Sequence, residues 1–422
     1  MARKGKVMAR SGRRPARSRQ DDLLDEAARQ LNARGVSLTS LTDIADSLGV
    51  SRAALYYYVA DREDLVFKVY RRSLEILARH LGEAARSGRD ALAVVDAFVA
   101  STLDPNEPEI AALSEIGLLR GPERETVLAL YEGIVARLAS VLETGLKAGE
   151  VRPCDFDVAA RCIISMIHWI PLAGRWHAAE SLDHGRLIAF ICDFVRRGIA
   201  TDRVESPHAP QIDLSPLLPP SLPAADQAAM RDAKREAILL AASRLFNAKG
   251  IDTTAMDEIA AAVGTNKRAL YRYVGDKQAI ITACYERAFR IAFFVYDLVD
   301  TLGLSAADRL DAQQRGHALA QQNRDISPLR QLSGLDALPV ESQASVIGMA
   351  RRLTDLAHQN VFQARADGDL RDFDLDDFLL LAVSPSAWLV KPLAETSPER
   401  KAQIAAAIAD FVRVGLSPLS AK

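Results

Sequence analysis

Glycine is sparse in this chain, 23 of 422 residues, and cysteine sparser, with four. Those four (Cys154, Cys162, Cys192, Cys284) form neither a C-x-x-C pair nor a zinc-ligand spacing, so they read as buried thiols of a reducing cytoplasm. No G-x-S-x-G, P-loop, H-E-x-x-H or strand–helix G-x-G-x-x-G occurs, and the seven histidines are dispersed. An enzyme is therefore not expected, nor a bound cofactor or metal. The acidic run "DFDLDD" (372–377) reads as a solvated helix start rather than a metal site. No apolar run suits a membrane span: "CIISMIHWIPLAG" is interrupted by His168 and Pro171. The first twenty residues lack the apolar core of a secretory signal. No strand pattern emerges anywhere, and Ala, Leu, Arg, Asp and Glu dominate, so the expected class is all-α.

What is present is unevenly placed charge and one dense cluster of proline. Residues 1–80 hold 16 Lys/Arg against 10 Asp/Glu. Eight of those cations sit in residues 1–20 with no acid among them, either a solvated tail or an arm for a phosphate backbone or minor groove. Residues 201–224 carry six prolines, which excludes a regular helix or a central strand. An extended linker is expected there, able to span roughly 70 Å in polyproline geometry.

The linker separates two halves that repeat each other. At an offset of 215, Arg29, Asn32, Ala33, Gly35, Thr39, Ile44, Ala45 and Gly49 match Arg244, Asn247, Ala248, Gly250, Thr254, Ile259, Ala260 and Gly264. The match runs on through "AALYYYVADR" (53–62) and "RALYRYVGDK" (268–277) to Tyr70 and Tyr285. Near the end of each half, "GEVRPCDFDVAA" (149–160) parallels "GDLRDFDLDD" (368–377), and "DFVRRGI" (193–199) parallels "DFVRVGL" (410–416). A period this long is too great for a solenoid and reads as a duplicated domain.

Each half begins with a helical pattern. "DDLLDEAARQLNARG" has Leu23, Leu24, Ala27, Ala28 and Leu31 on one face and stops at Gly35. A second helix, "LTDIADSLG", is expected to be capped by Ser40 with Asp43 reaching back. Gly49 turns the chain, Ser51 caps a third helix and Asp61 a fourth. In the second half Thr254, Asn266 and Asp276 are the matching caps.

A short helix, a Gly-containing turn and another short helix form the helix-turn-helix plan. "TDIADSLGVSRAALYYYVADREDL" (42–65) and "DEIAAAVGTNKRALYRYVGDKQAI" (257–280) resemble the DNA-binding signature of the TetR family of bacterial transcriptional regulators, over roughly fifty residues in each half. Tyr58 and Tyr273 stand where the family commonly has His, and Asn266 where it has Ser. The resemblance implies double-stranded operator DNA as partner. Ser51 and Asn266 offer helix N-termini to phosphates. Tyr56, Tyr58, Tyr271 and Tyr273 offer hydroxyls, and Arg62 and Lys277 offer cations; packing in the small core is the competing role, first of all for Tyr56 and Tyr271. Base reading is expected of Arg52, Ala53, Ala54 and Tyr57 in the first half, and of Lys267, Arg268, Ala269 and Arg272 in the second.

Family members are normally homodimers of a DNA-binding head and a helical ligand-binding body. Two such units in one chain imply an intramolecular pseudo-dimer, itself monomeric or paired once more. Its parts are an arm at 1–20, heads at 21–70 and 225–285, bodies at 71–200 and 286–417, and the linker at 201–224. The body contact is expected as a four-helix bundle from roughly 155–170, 185–200, 372–390 and 400–416. The function implied is a cytoplasmic repressor that responds to a small molecule and reads an asymmetric operator with unlike heads. The alternative is a helical scaffold whose heads no longer bind DNA. For the small molecule, His168, Trp169 and Trp176 in the first body, and Gln314, His317 and Trp388 in the second, suit a pocket, a core or the bundle interface equally well.

Overall fold

The computed structural model describes residues 18–173, 183–203, 210–219, 227–330, 335, 338–390 and 396–419. The basic arm up to residue 17 and Trp176 lie outside them. Among the described residues the regular elements are helices, with one isolated antiparallel bridge between Ala200 and Leu370.

The first head is α1 (Arg19–Leu38), α2 (Leu41–Ser47) and α3 (Arg52–Tyr56). Its body is α4 (Arg62–Ser87), α5 (Ala91–Leu103), α6 (Gly121–Lys147), α7 (Phe156–Ala173) and α8 (His184–Arg197). The second unit repeats this as α9 (Gln227–Lys249), α10 (Met256–Ala262), α11 (Lys267–Val274), α12 (Lys277–Asp300), α13 (Ala306–Gln322), α14 (Val340–Ala366), α15 (Leu375–Leu381) and α16 (Pro398–Val414). Helix α1 starts on a capping box between Ser18 and Asp21 and kinks at Gly35, where φ is +76°. The repeated threonines close that kink: Thr39 Oγ1 donates to Gly35 O at 2.7 Å, and Thr254 Oγ1 to Gly250 O at 2.8 Å.

Helix α7 corrects one expectation. Pro171 does not interrupt it, and by length and hydropathy it would suit a membrane, yet 83% of that stretch is buried inside the fold. It is the central helix of the contact between units. Its counterpart is broken, where a helix over 372–390 was expected. Pro385 has no N–H to give Leu381 O, and Ser384 Oγ donates there instead at 2.6 Å. A 3-10 segment, Ser384–Val390, follows. Other freed carbonyls are filled from elsewhere: Trp169 Nε1 of the first unit donates to Leu380 O at 2.7 Å, and Gln314 Nε2 to Ala382 O at 3.2 Å.

The two units meet through a pseudo-two-fold crossing of α8 and α16, built from the residues repeated near the end of each half. Arg152 Nε donates to Gly415 O at 2.6 Å and Arg371 Nε to Gly198 O at 2.7 Å. Arg152 pairs with Asp410, and Arg371 with Asp193 at 2.7 Å. The backbones cross as well, Leu416 N to Val195 O at 2.9 Å and Ile199 N to Val412 O at 3.1 Å. Gly198 (φ +60°) and Gly415 (φ +68°) face each other, and a Cβ on Gly198 would lie 2.4 Å from Arg413 O. At the other end of the crossing, Arg400 pairs with Asp155 at 2.6 Å, as Arg186 does with Asp374 at 3.4 Å. Phe190, Phe194, Phe373, Phe378 and Phe411 fill the space between.

The proline-rich segment is not a free tether where it is described. Ile212 and Leu214 are buried against Ile291, Val295 and Val299 of the second body, and Ser215–Leu217 forms a 3-10 turn.

Candidate nucleic-acid interface

In each head the spacing of apolar residues decides what the third helix shows to solvent. Leu55 and Val59, and their counterparts Leu270 and Val274, point into the core. That leaves Arg52, Ala53, Tyr56 and Tyr57 exposed on the first head, with Ala54 partly covered. Tyr57 is 85% exposed, its ring meeting that of Tyr58 edge-on at 5.2 Å. On the second head Lys267, Arg268, Tyr271 and Arg272 are exposed and Ala269 is partly covered. Arg268 has no partner among the described residues; Lys267 lies 3.4 Å from Asp257, and Arg272 sits 5.2 Å from the Tyr273 ring.

The caps are formed by Ser51, Asn266, Asp61 and Asp276, whose side chains accept from Ala54 N, Ala269 N, Asp64 N and Ala279 N. Ser40 accepts from Asp43 N at 3.0 Å, but Asp43 turns toward Arg34 at 3.9 Å instead of reaching back. Thr254 is neither a cap nor a surface residue. It is fully buried, and Glu258 accepts from Ala255 N at 2.7 Å to start α10 in its place. The tyrosines divide otherwise than expected: Tyr58 and Tyr273 pack on the core, while Tyr56 and Tyr271 are 45% and 46% exposed.

Arg62 and Lys277 are already engaged. Arg62 donates to Val36 O and lies 3.6 Å from Asp252 of the other head, while Lys277 Nζ donates to Asp252 O at 3.1 Å. Burial lowers the Lys277 pKa, with Asp252 pulling it partly back. The heads therefore touch directly. Between them sit residues 115–120 of the first body: Glu115 Oε1 accepts from Val36 N at 3.3 Å, and Gly117 lies so close to α9 that a Cβ would be 1.9 Å from Ala248 O.

Each head is strapped to its own body by the repeated asparagine. Asn32 Nδ2 donates to Ile110 O at 2.8 Å, and its Oδ1 accepts from Ala112 N at 3.0 Å. Asn247 does the same with Pro328 O at 2.9 Å and Arg330 N at 3.2 Å. The sequence displayed both asparagines as matched, but nothing in it named their partners.

Behind that strap lies a partly open cavity of about 280 Å³, lined mainly by the second body. Gln314 and His317 line it as α13 residues, and Trp169 reaches it from the first unit. His168 and Trp388 border a smaller space of about 30 Å³ next to it. The described candidates from both halves thus line two neighbouring spaces, the larger mainly in the second unit and the smaller where the units meet. Burial pushes the His317 pKa down to about 4, so its ring is neutral at pH 7. The four thiols sit in the same apolar setting, Cys162 and Cys284 buried, Cys154 and Cys192 half-buried; burial pushes Cys154, Cys192 and Cys284 up to about 12.

Two family profiles match. The profile described as bacterial regulatory proteins, tetR family, matches residues 23–69 and again 238–284. The tetracyclin repressor-like C-terminal domain matches 91–199. The HTH-type transcriptional repressor KstR2 of Rhodococcus jostii is 30% identical over 165 residues, covering 38% of this chain and 79% of its own length. The chain belongs to the TetR family. It is a tandem member, a DNA-binding regulator with the helix-turn-helix signature in both halves. The HTH-type regulator AcrR of Shigella flexneri is 25% identical over 195 residues, 42% of this chain and 86% of its own. The TetR-family regulator PfmR from Thermus thermophilus is a similar solved structure, at 21% identity and a TM-score of 0.37, covering 42% of this chain and 97% of that one.

Proposed function

We propose that the chain is an effector-responsive repressor whose two heads read the unlike halves of one asymmetric operator. One observation carries this reading: the exposed faces of α3 and α11 differ where their cores agree. Arg52, Ala53 and Tyr57 on one face stand against Lys267, Arg268 and Arg272 on the other. Arginine and lysine pair best with guanine, whereas alanine suits a thymine methyl. Because the units are joined covalently, the second head binds intramolecularly, at an effective concentration of about millimolar. The half-sites fall roughly one DNA turn apart, 34–36 Å. The cavity strapped to head 2 supplies a place for an effector, which acts by binding one head arrangement better than another.

Selection of binding sites from a random DNA pool by the purified chain tests this. Enrichment of one site with two unlike halves is expected. A palindrome would mean that two copies of one head, from two chains, do the reading. Binding that is salt-insensitive and unselective would favour an interaction protein instead.

A further inference from the structure

Among the described residues that line the cavity in the second body, one carries a formal charge. Of these side chains only Arg330 is ionic; Gln314, Gln321, Thr354 and Ser386 are polar and neutral, and His317 is neutral at pH 7. Among the described residues no carboxylate pairs with Arg330. Burial alone pushes its pKa down to about 9, which leaves it charged at pH 7. Its side chain is half-buried at the cavity wall, where a guanidinium without a counter-charge favours an arriving anion. Gln321 Oε1, on the same wall, is also buried without a hydrogen-bond donor among the described residues.

We propose that this cavity binds an organic monocarboxylate with an apolar body, one per chain, with the carboxylate on Arg330. The proposal rests on the effector-responsive reading above and specifies its ligand. A guanidinium holds a carboxylate through two parallel N–H···O bonds, and a dianionic phosphate would bring a second charge with nothing to neutralise it. Phe289, Leu353 and Leu389 take the apolar body. The volume, about 280 Å³, is near the lower limit of small-molecule sites. The first unit has no equivalent anchor. The residue whose N–H meets Asn32 there is Ala112, where Asn247 meets Arg330. The bound carboxylate therefore acts through one strap, onto α9 of head 2, whose end abuts Gly117.

Calorimetric titration of the full chain with octanoate, and separately with its neutral analogue octanamide, tests this. The expected result is one octanoate site per chain, at least tenfold tighter than octanamide, and loss of that preference in Arg330→Gln. The preference is read on the wild-type chain, so it stays measurable if the variant fails to fold. Equal affinity for the two probes, no binding of either, or an equal loss of both in Arg330→Gln would overturn the proposal. Release of the selected operator by a neutral compound would overturn it too while leaving the effector reading in place.

Discussion

Tyr57 and Arg272 occupy matched places on the two reading helices, as do Ala53 and Arg268, and they offer DNA different chemistry. Removing one such side chain should be felt at one half-site only. Arg268→Ala is expected to weaken the half-site read by head 2 by about 1–3 kcal/mol, if it meets a guanine edge, with the other half unaffected. Binding titrations on operators with each half scrambled check this; equal loss on every sequence would make Arg268 a phosphate contact. His317 gives a second residue-scale outcome. Its folded pKa, about 4, lies below the ordinary value of 6.5, so between those values the unfolded chain binds the extra proton. Stability should fall as pH drops through that window, by at most about 1.4 kcal/mol per unit from this group. His317→Gln should flatten the slope in urea unfolding between pH 7 and pH 5. Some slope will persist, because burial also lowers His80. Which residues of α3 and α11 are exposed was largely legible from spacing, since Leu55 and Leu270 had to point inward. The tyrosines were misjudged for a physical reason visible afterwards: Tyr58 follows Leu55 by three positions and so shares its buried side. Arg330 was not legible, because its significance lies in what surrounds it.

Helices carry the next layer of information. The repeated segments near each half's end were plain in the sequence, but only the fold shows that they are one interface written twice. Gly198 and Gly415 combine φ of +60° and +68° with ψ of −150° and −162°, backbone that only glycine adopts readily. Either glycine changed to alanine should destabilise the chain by at least about 2 kcal/mol, from strain and the Cβ contact together. Urea unfolding measures this, and a smaller change would mean that the crossing yields. The break after α15 was not legible, because Pro171 stands inside α7 without breaking it, and the donors that take the carbonyls freed at Pro385 (Trp169, Gln314 and Ser384) meet them only in the fold. The bundle itself was expected from the resemblance to the TetR family, with the two halves taking the places of two protomers.

At the scale of the molecule, the units already satisfy each other's bundle helices, and Arg152 and Arg371 each close on the opposite unit. A single species of 46.0 kDa is expected in sedimentation velocity without DNA; twice that mass would show that a further surface pairs two chains. Segment 115–120, wedged between the heads, means that the first body touches both DNA-reading units while the cavity is strapped to only one. That asymmetry was invisible in the sequence, where the two halves align without gaps through the heads. A homodimer receives every mutation twice, so a change that suits one head must be endured by its copy. Here a change at Arg272 leaves Tyr57 as it is, and one at Arg268 leaves Ala53. The crossing of α8 and α16 thus gives each half its own evolutionary history, with the partner held constant as a template.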